Sequence, residues 1–260
     1  MWTKSPRLED QPTRSRDEMP ETAQGRDELV ERLAQVRRRI EAAALRTGRT
    51  PDDVTLIAVS KTHPASIIRR AIEAGALELG ENRVQEADEK ISELGRDSGA
   101  RWHLIGHLQA NKARRAVSLF DLIHSIDSVS LARRLNRLCE EAGREVLPVL
   151  AQVDLAGEAT KSGISEALLP ELIQALKACE RLRLVGLMTL PPFFDDAELA
   201  RPFFSRLREL RDRHRDEGDF IEGRGELSMG MSNDYEVAIE EGATMVRVGT
   251  AIFGERDAAH

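Results

Sequence analysis

Short apolar runs alternate with charged stretches of helical period along most of the chain. Each apolar or β-branched run predicts a buried strand, and the stretches between them predict helices. The clearest helical stretches are Ser66–Glu73, Val129–Glu141, Glu166–Ala178 and Arg201–Arg213. The eight predicted strands are Val54–Val59, Ala76–Leu79, Trp102–Ile105, Leu122–Ile126, Val146–Val153, Leu184–Thr189, Glu226–Met229 and Met245–Val248.

This alternation predicts an α/β fold with a parallel sheet, because successive parallel strands need a crossover connection. Eight strands fit a single closed (β/α)8 TIM barrel at the compact end of its usual size range. A doubly wound open sheet is the alternative. The first predicted strand is not followed by the G-x-G-x-x-G turn of dinucleotide-binding sheets, which favours the barrel.

The N-terminal region differs from the rest of the chain. Residues 1–24 carry many charged residues but hardly any apolar side chain, so we expect a disordered tail. From about Asp27 the pattern becomes that of an amphipathic helix, which ends before Gly48 and Pro51. We therefore expect residues 25–256 to form the barrel with an additional N-terminal helix. The apolar face of that helix consists of Leu29, Leu33, Val36 and Ile40.

Composition and charge narrow the choice of partners. The chain has 38 basic and 45 acidic residues and a net charge of −7, which argues against a nucleic acid or an anionic membrane. Two cysteines are too few for a disulfide framework or a cysteine-rich metal site. No apolar run is long enough to span a bilayer, and the N-terminus lacks the apolar core of a signal peptide. We expect a cytoplasmic monomer.

Lys61 is the most informative single residue. Active sites of (β/α)8 barrels lie at the C-terminal ends of the strands, and Lys61 directly follows the first predicted strand. Desolvation at the barrel mouth disfavours an ammonium and favours a neutral amine that can form an imine. The alternative is a lysine whose side chain simply extends from the strand end into water.

The loops after the seventh and eighth predicted strands have the composition of a phosphate site. Barrels often bind phosphate with these two loops, and here they contain Ser232 and the pair Gly249 and Thr250. Ser232 and Asn233 are also suited to cap the next helix, a role compatible with phosphate binding. A Schiff-base lysine together with a phosphate site is suited to pyridoxal 5′-phosphate.

Arg247 lies two residues before Gly249, so strand alternation directs both residues to the same face. If that face is inward, Arg247 can donate to the pyridine nitrogen of the cofactor. A permanently cationic donor would keep this nitrogen unprotonated and weaken the ring as an electron sink. The alternative is a structural ion pair with a barrel carboxylate, and the sequence leaves both possibilities open.

Three histidines, His103, His107 and His124, fall near predicted strand ends. Their spacing matches no metal-ligand pattern, so the sequence predicts no metal site. We expect His103 and His124 to be packing residues, and His107 is a candidate to stack near a ligand. Lys112 and Lys161 are expected to be charged surface residues beside the same rim.

Several segments resemble the motifs of the pyridoxal phosphate homeostasis protein family, whose barrel is similar to the N-terminal domain of alanine racemase. The resemblance covers the chain from about residue 30 to residue 256. The segments are Ala58–Thr62, Gly80–Glu86, Trp102–Gln109, His124–Ser128, Gly186–Thr189, Leu227–Ser232 and Val246–Gly254.

The resemblance implies that Lys61 holds pyridoxal 5′-phosphate as a Schiff base and that Asn82 lies beside the cofactor. The remaining contacts that it implies are Arg247 near the pyridine nitrogen and Ser232, Gly249 and Thr250 at the phosphate. Two positions depart from the family pattern. Asp154 stands where the family usually has asparagine, and Arg83 stands where an aromatic residue is common.

The resemblance also implies a non-catalytic protein that buffers the cofactor or delivers it to apo-enzymes that use it. The main alternative is an amino-acid racemase, and a second is a barrel aldolase that forms an imine without a cofactor. Alanine racemase takes a tyrosine base from a β domain that follows its barrel. The chain ends six residues after Gly254, so we expect no C-terminal β domain, and we expect Tyr235, its one tyrosine, to be a packing residue.

Overall fold

Eight parallel strands close into a barrel in the computed structural model, which describes residues 23–157, 162–221 and 223–254. The strands of the ring are β1 (Thr55–Val59), β2 (Glu78–Glu81), β3 (Arg101–Leu104), β4 (Leu122–Ile126), β5 (Leu147–Asp154), β7 (Leu182–Met188), β8 (Glu226–Met231) and β9 (Met245–Val248). Pairing of β1 with β9 and of β4 with β5 completes the ring, which confirms the predicted (β/α)8 fold. A short additional strand, β6 (Ile164–Ser165), pairs with the end of β5.

Helices cover the outside of the barrel. Helix α1 precedes the first strand and packs against α8 and α9, and its four predicted apolar residues are all buried. No described helix combines the length and apolar character that crossing a membrane requires. The helices are α1 (Ala23–Arg46), α2 (Ala65–Glu73), α3 (Val84–Leu94), α4 (Ala113–Leu119), α5 (Val129–Glu141), α6 (Leu169–Lys177), α7 (Arg201–Asp216), α8 (Tyr235–Glu240) and α9 (Thr250–Phe253).

Several element boundaries differ from the prediction. Strand β2 lies two residues later than predicted, because Glu78 and Glu81 are strand residues whose carboxylates are hydrogen-bonded to other side chains. Strand β6 is too short to give an apolar run of its own. Helix α1 begins at Ala23, and residues 1–22 of the predicted disordered tail lie outside the described residues.

A chain of polar side chains runs through the barrel interior. Arg247 on β9 is 2 % exposed, and its Nη1 donates to Ser228 Oγ at 2.5 Å. Ser228 Oγ lies 2.9 Å from His124 Nδ1, and His124 Nε2 lies 2.9 Å from His103 Nδ1. His103 Nε2 lies 2.5 Å from a carboxylate oxygen of Glu78. The two histidines therefore do more than pack, since they link β9 to the beginning of β2.

Donor and acceptor capacity fixes the direction of these hydrogen bonds when both imidazoles are neutral. An ionised Glu78 only accepts, so His103 carries its hydrogen on Nε2 and accepts at Nδ1. His124 then donates from Nε2 and accepts at Nδ1 from the Ser228 hydroxyl. Arg247 only donates, and the Ser228 oxygen accepts from it. Donation therefore runs in one direction, from the guanidinium to the carboxylate.

The position of His124 links barrel stability to pH. Burial, and then the nearby His103 and Arg247, hold the pKa of His124 well below its ordinary value of 6.5. As the pH falls below 6.5, His124 therefore becomes protonated in the unfolded state while it is still neutral in the folded state. The stabilisation from a neutral His124 is fully present above that pH and is lost progressively as the pH falls.

We predict that the free energy of unfolding of His124→Gln falls less steeply than that of wild type as the pH is lowered. One proton changes the free energy of unfolding by about 1.4 kcal/mol per pH unit, and the unfolded histidine goes from mostly neutral to mostly protonated between about pH 7.5 and about pH 5.5. Averaged over this window it takes up about half a proton, so wild type should lose about 1.4 kcal/mol more than the variant. Urea unfolding followed by circular dichroism measures both slopes. Other titrating groups cancel in the difference, so parallel profiles would contradict the assignment.

Candidate functional site

A cavity of about 490 Å³ opens at the C-terminal ends of six neighbouring strands, β7, β8, β9, β1, β2 and β3. This volume is within the range of small-molecule sites, roughly 300–1,000 Å³. All six residues that the sequence analysis singled out as candidate ligand contacts line it, and their roles in binding remain predictions. These residues are Lys61, Asn82, Ser232, Arg247, Gly249 and Thr250.

Lys61 lies in a tight turn that follows β1. The backbone N–H of His63 donates to the Ser60 carbonyl at 3.2 Å, which closes a four-residue β-turn with Lys61 in its second position. Thr62, in the third position, has a φ of 68°, a left-handed conformation that glycine usually adopts. Lys61 is half-buried, and its side chain lines the cavity.

Two neighbouring loops offer donors to an anion. Ser232 Oγ accepts the backbone N–H of Gly249 at 3.2 Å, so its own hydroxyl hydrogen remains available to a ligand. An added Cβ on Gly249 would lie 3.3 Å from the Val59 carbonyl oxygen, and this crowding favours glycine there. Helix α9 begins at Thr250, and the first amides of a helix have no acceptor within the helix.

The alternative role of Ser232 and Asn233 as helix caps does not hold. Helix α8 has Asp234 at its N-cap position, and the Asp234 carboxylate accepts the backbone N–H of Met231 at 2.6 Å. The Asn233 side-chain amide donates to the Phe194 carbonyl at 2.8 Å. Ser232 is therefore free of a capping role and borders the cavity.

The position of Asn82 depends on a close backbone approach. Asn82 follows β2 and lies half-buried at the cavity wall. A Cβ added to Gly106, in the loop after β3, would lie 2.4 Å from the Asn82 carbonyl oxygen. Only glycine at position 106 therefore lets the two loops pack this closely.

Arg247 forms the inner end of the cavity. Besides its bond to Ser228, its Nη2 donates to the Thr189 carbonyl at 2.9 Å. Within the described residues Arg247 has no carboxylate partner, so the alternative of a structural ion pair is not realised. Burial lowers the pKa of Arg247 to about 10, although the charge of Asp234 opposes this effect. The guanidinium is therefore still cationic at neutral pH.

These groups fit the three polar ends of pyridoxal 5′-phosphate. The cavity presents an amine for an aldehyde, a hydroxyl with helix-terminal amides for a phosphate, and a guanidinium for an acceptor nitrogen. His63 also lines this cavity and stacks on Phe253, with ring centroids 4.9 Å apart. The sequence analysis missed His63, although its place two residues after Lys61 was a usable signal.

Several other candidates lie away from this cavity. His107 belongs to a neighbouring groove, where its Nδ1 lies 3.2 Å from an Asp127 carboxylate oxygen. Tyr235 is buried under Arg39 of α1, as expected of a packing residue. Asp154 accepts the backbone N–H groups of Ala156 and Gly157 at 3.0 and 3.1 Å, so it organises its own loop. Arg83 is exposed, and Lys161 lies outside the described residues.

Comparison with known proteins agrees with this arrangement. The family model described as "Alanine racemase, N-terminal domain" matches residues 32–257. The pyridoxal phosphate homeostasis protein of Escherichia coli is 46 % identical over 240 residues, which is 89 % of this chain and 98 % of that protein. The protein of the same name from Aquifex aeolicus is 42 % identical over 226 residues, covering 87 % of this chain and 97 % of its own.

Solved structures show similarity to the same family. PipY of Synechococcus elongatus with pyridoxal phosphate bound is 41 % identical, with a TM-score of 0.74 over 87 % of this chain and 100 % of its own. Alanine racemase of Clostridium difficile, at 18 % identity and a TM-score of 0.66, shares the fold over 89 % of this chain and only 60 % of the racemase. From the family model and these relatives, the chain belongs to the pyridoxal phosphate homeostasis protein family.

Proposed function

We propose that this protein holds pyridoxal 5′-phosphate as a Schiff base on Lys61 and acts as a non-catalytic carrier in the homeostasis of that cofactor. The observation that carries the proposal is the convergence of Lys61, the Ser232 and Gly249 loops and Arg247 on one cavity. The relative PipY, whose structure contains pyridoxal phosphate, supports it.

Each group has a distinct task in binding. The Ser232 hydroxyl and the Thr250 amide bind the phosphate, where the partial positive charge of a helix start adds to the attraction, and Gly249, whose own N–H holds Ser232 Oγ, allows close approach of the backbone. Asn82 lies beside the ring, and Arg247 donates to the pyridine nitrogen. Lys61 supplies the covalent link. Binding from both ends of the ligand leaves little freedom for its orientation.

The position of Tyr235 favours a carrier over a racemase. When bound, the cofactor supplies an electron-withdrawing ring that can stabilise a carbanion. A guanidinium that stays cationic at neutral pH does not give a proton to the ring nitrogen, which weakens this property. Racemisation needs an acid or base on each face of the substrate carbon, and the chain's one tyrosine, Tyr235, is buried away from the cavity.

We extend the proposal to location and partners. The described cysteines, Cys139 and Cys179, are both free and buried, which suits the reducing cytoplasm. The cavity is open at the barrel mouth, so a bound cofactor can leave toward apo-enzymes that require it. The net charge of −7 does not favour nucleic acid or an anionic membrane as a partner, and the protein acts as a monomer.

We predict that wild type develops a visible imine absorption band with pyridoxal 5′-phosphate and that Lys61→Ala does not. The amine of Lys61 is the group that forms the imine, and alanine removes it. Absorption titration, followed by borohydride to remove the band, makes the measurement. Lys112→Ala, which deletes a rim lysine outside the cavity, is the matched control and keeps the band. A wild type without the band would favour an aldolase or a plain phosphate-binding barrel.

We predict that Ser232→Ala weakens binding of pyridoxal 5′-phosphate selectively. A lost hydrogen bond to a charged phosphate raises the dissociation constant at least about tenfold. Pyridoxal, which has no phosphate, should bind wild type and variant within about twofold of each other. Ser130→Ala, an exposed serine of the neighbouring groove, is the control and changes neither value. Equal losses for both ligands would argue against a phosphate contact at Ser232.

A further inference from the structure

A buried lysine on α3, Lys90, contacts the turn that contains Lys61. Lys90 is 6 % exposed, and its Nζ donates to the Ser60 carbonyl at 2.7 Å. The same Nζ lies 2.6 Å from Glu81 Oε1 and 2.6 Å from Glu86 Oε1. Each of the three ammonium hydrogens therefore has an acceptor.

The two carboxylates continue these contacts to the backbone around Lys61. Ser60 Oγ donates to Glu81 Oε1 at 2.6 Å. The backbone N–H of Thr62 donates to Glu86 Oε1. The residues on both sides of Lys61 are thus bonded to one cluster, formed by Lys90, Glu81 and Glu86, which we call the ammonium cluster.

The turn needs such support because Thr62 has a φ of 68°. A β-branched residue in the left-handed region is strained and persists only where surrounding contacts hold it. Lys90 donates to the Ser60 carbonyl and Glu86 accepts the Thr62 N–H, so these bonds act on the two peptide groups that flank Lys61. They therefore fix the direction in which the Lys61 side chain leaves the turn.

Charge balance explains why the ammonium cluster is stable in a buried place. An unpaired buried ammonium is strongly unfavourable, whereas Lys90 has the carboxylate of Glu86 and two further oxygen acceptors. Burial raises the pKa of Glu81, so the counter-charge comes from Glu86. Burial alone raises the pKa of Glu86, but the hydrogen bonds from Lys90 and Thr62 outweigh it and leave that pKa lowered. Glu86 therefore stays ionised and keeps accepting from both donors.

Lys90 does not line the cavity, so it acts on a ligand only through Lys61. We propose that Lys90, through the ammonium cluster, is a positioning residue that keeps the Lys61 amine directed at the ligand aldehyde. In the reaction the neutral amine adds to the aldehyde carbon, a C=N bond replaces the C=O bond, and the oxygen leaves as water. This inference rests on the proposed function, since it presupposes an imine at Lys61.

The test separates covalent from noncovalent binding in Lys90→Met. Binding of pyridoxal 5′-phosphate, followed by its absorption band, includes both the imine and the noncovalent contacts. Pyridoxamine 5′-phosphate has no aldehyde, so its binding depends on the noncovalent contacts alone. We expect the variant to bind pyridoxal 5′-phosphate about tenfold more weakly, as loss of support for a strained turn implies. Pyridoxamine 5′-phosphate should bind within about twofold of wild type, measured by protein fluorescence.

Two further variants complete the experiment. Lys177→Met removes a lysine that lies 2.6 Å from a carboxylate oxygen of the buried Asp219, and it should leave both ligands unaffected. Glu86→Gln keeps α3 intact but weakens the bonds to Lys90 and to the Thr62 N–H. It should therefore also bind pyridoxal 5′-phosphate selectively more weakly, and it replaces Lys90→Met as the test if that variant does not fold. Equal changes for both ligands, or no change for either, would overturn the role of Lys90. Absence of an imine band in wild type would instead refute the proposed function itself.

Discussion

The pairing of β1 with β9 brings the two ends of the barrel together, and the candidate site depends on it. In this pairing Ile57 lies opposite Arg247, and Ala58 lies opposite Val248. The turn with Lys61 and the loop with Gly249 follow directly from these two strands. Residues almost 190 positions apart in sequence thereby become neighbours at one edge of the barrel mouth. Because parallel strands share one C-terminal edge, closure of the ring is enough to assemble the site.

Closure also confines a cation within the barrel. Arg247 is buried without a carboxylate partner among the described residues, which would be costly for an isolated charge. The directed hydrogen bonds through Ser228, His124 and His103 end at the ionised Glu78, so the charge at one end has a counter-charge at the other. The polar interior of this barrel is thus a consequence of the arginine beneath the site.

The sequence predicts features that leave a periodic trace. Apolar runs such as Leu122–Ile126 and Met245–Val248 give strands with the observed boundaries, and the order of the strands gives the barrel. The loops with Lys61, Ser232 and the pair Gly249 and Thr250 were found because residues directly after strands share one edge. Arg247 was found by strand alternation, and Asn82 as a contact only through the family resemblance. Lys90 left no such trace, since a lysine among the charged residues of α3 has the pattern of an exposed residue. Its burial depends on Glu81 and the Ser60 carbonyl, which only the tertiary fold brings near.

The proposed function depends most on Lys61 as the covalent anchor. Borohydride reduction of the protein loaded with pyridoxal 5′-phosphate, followed by peptide mapping with mass spectrometry, tests it most directly. We expect one pyridoxyl phosphate group per chain, on the peptide that contains Lys61. Attachment at another lysine such as Lys112, or spread over several lysines, would contradict it.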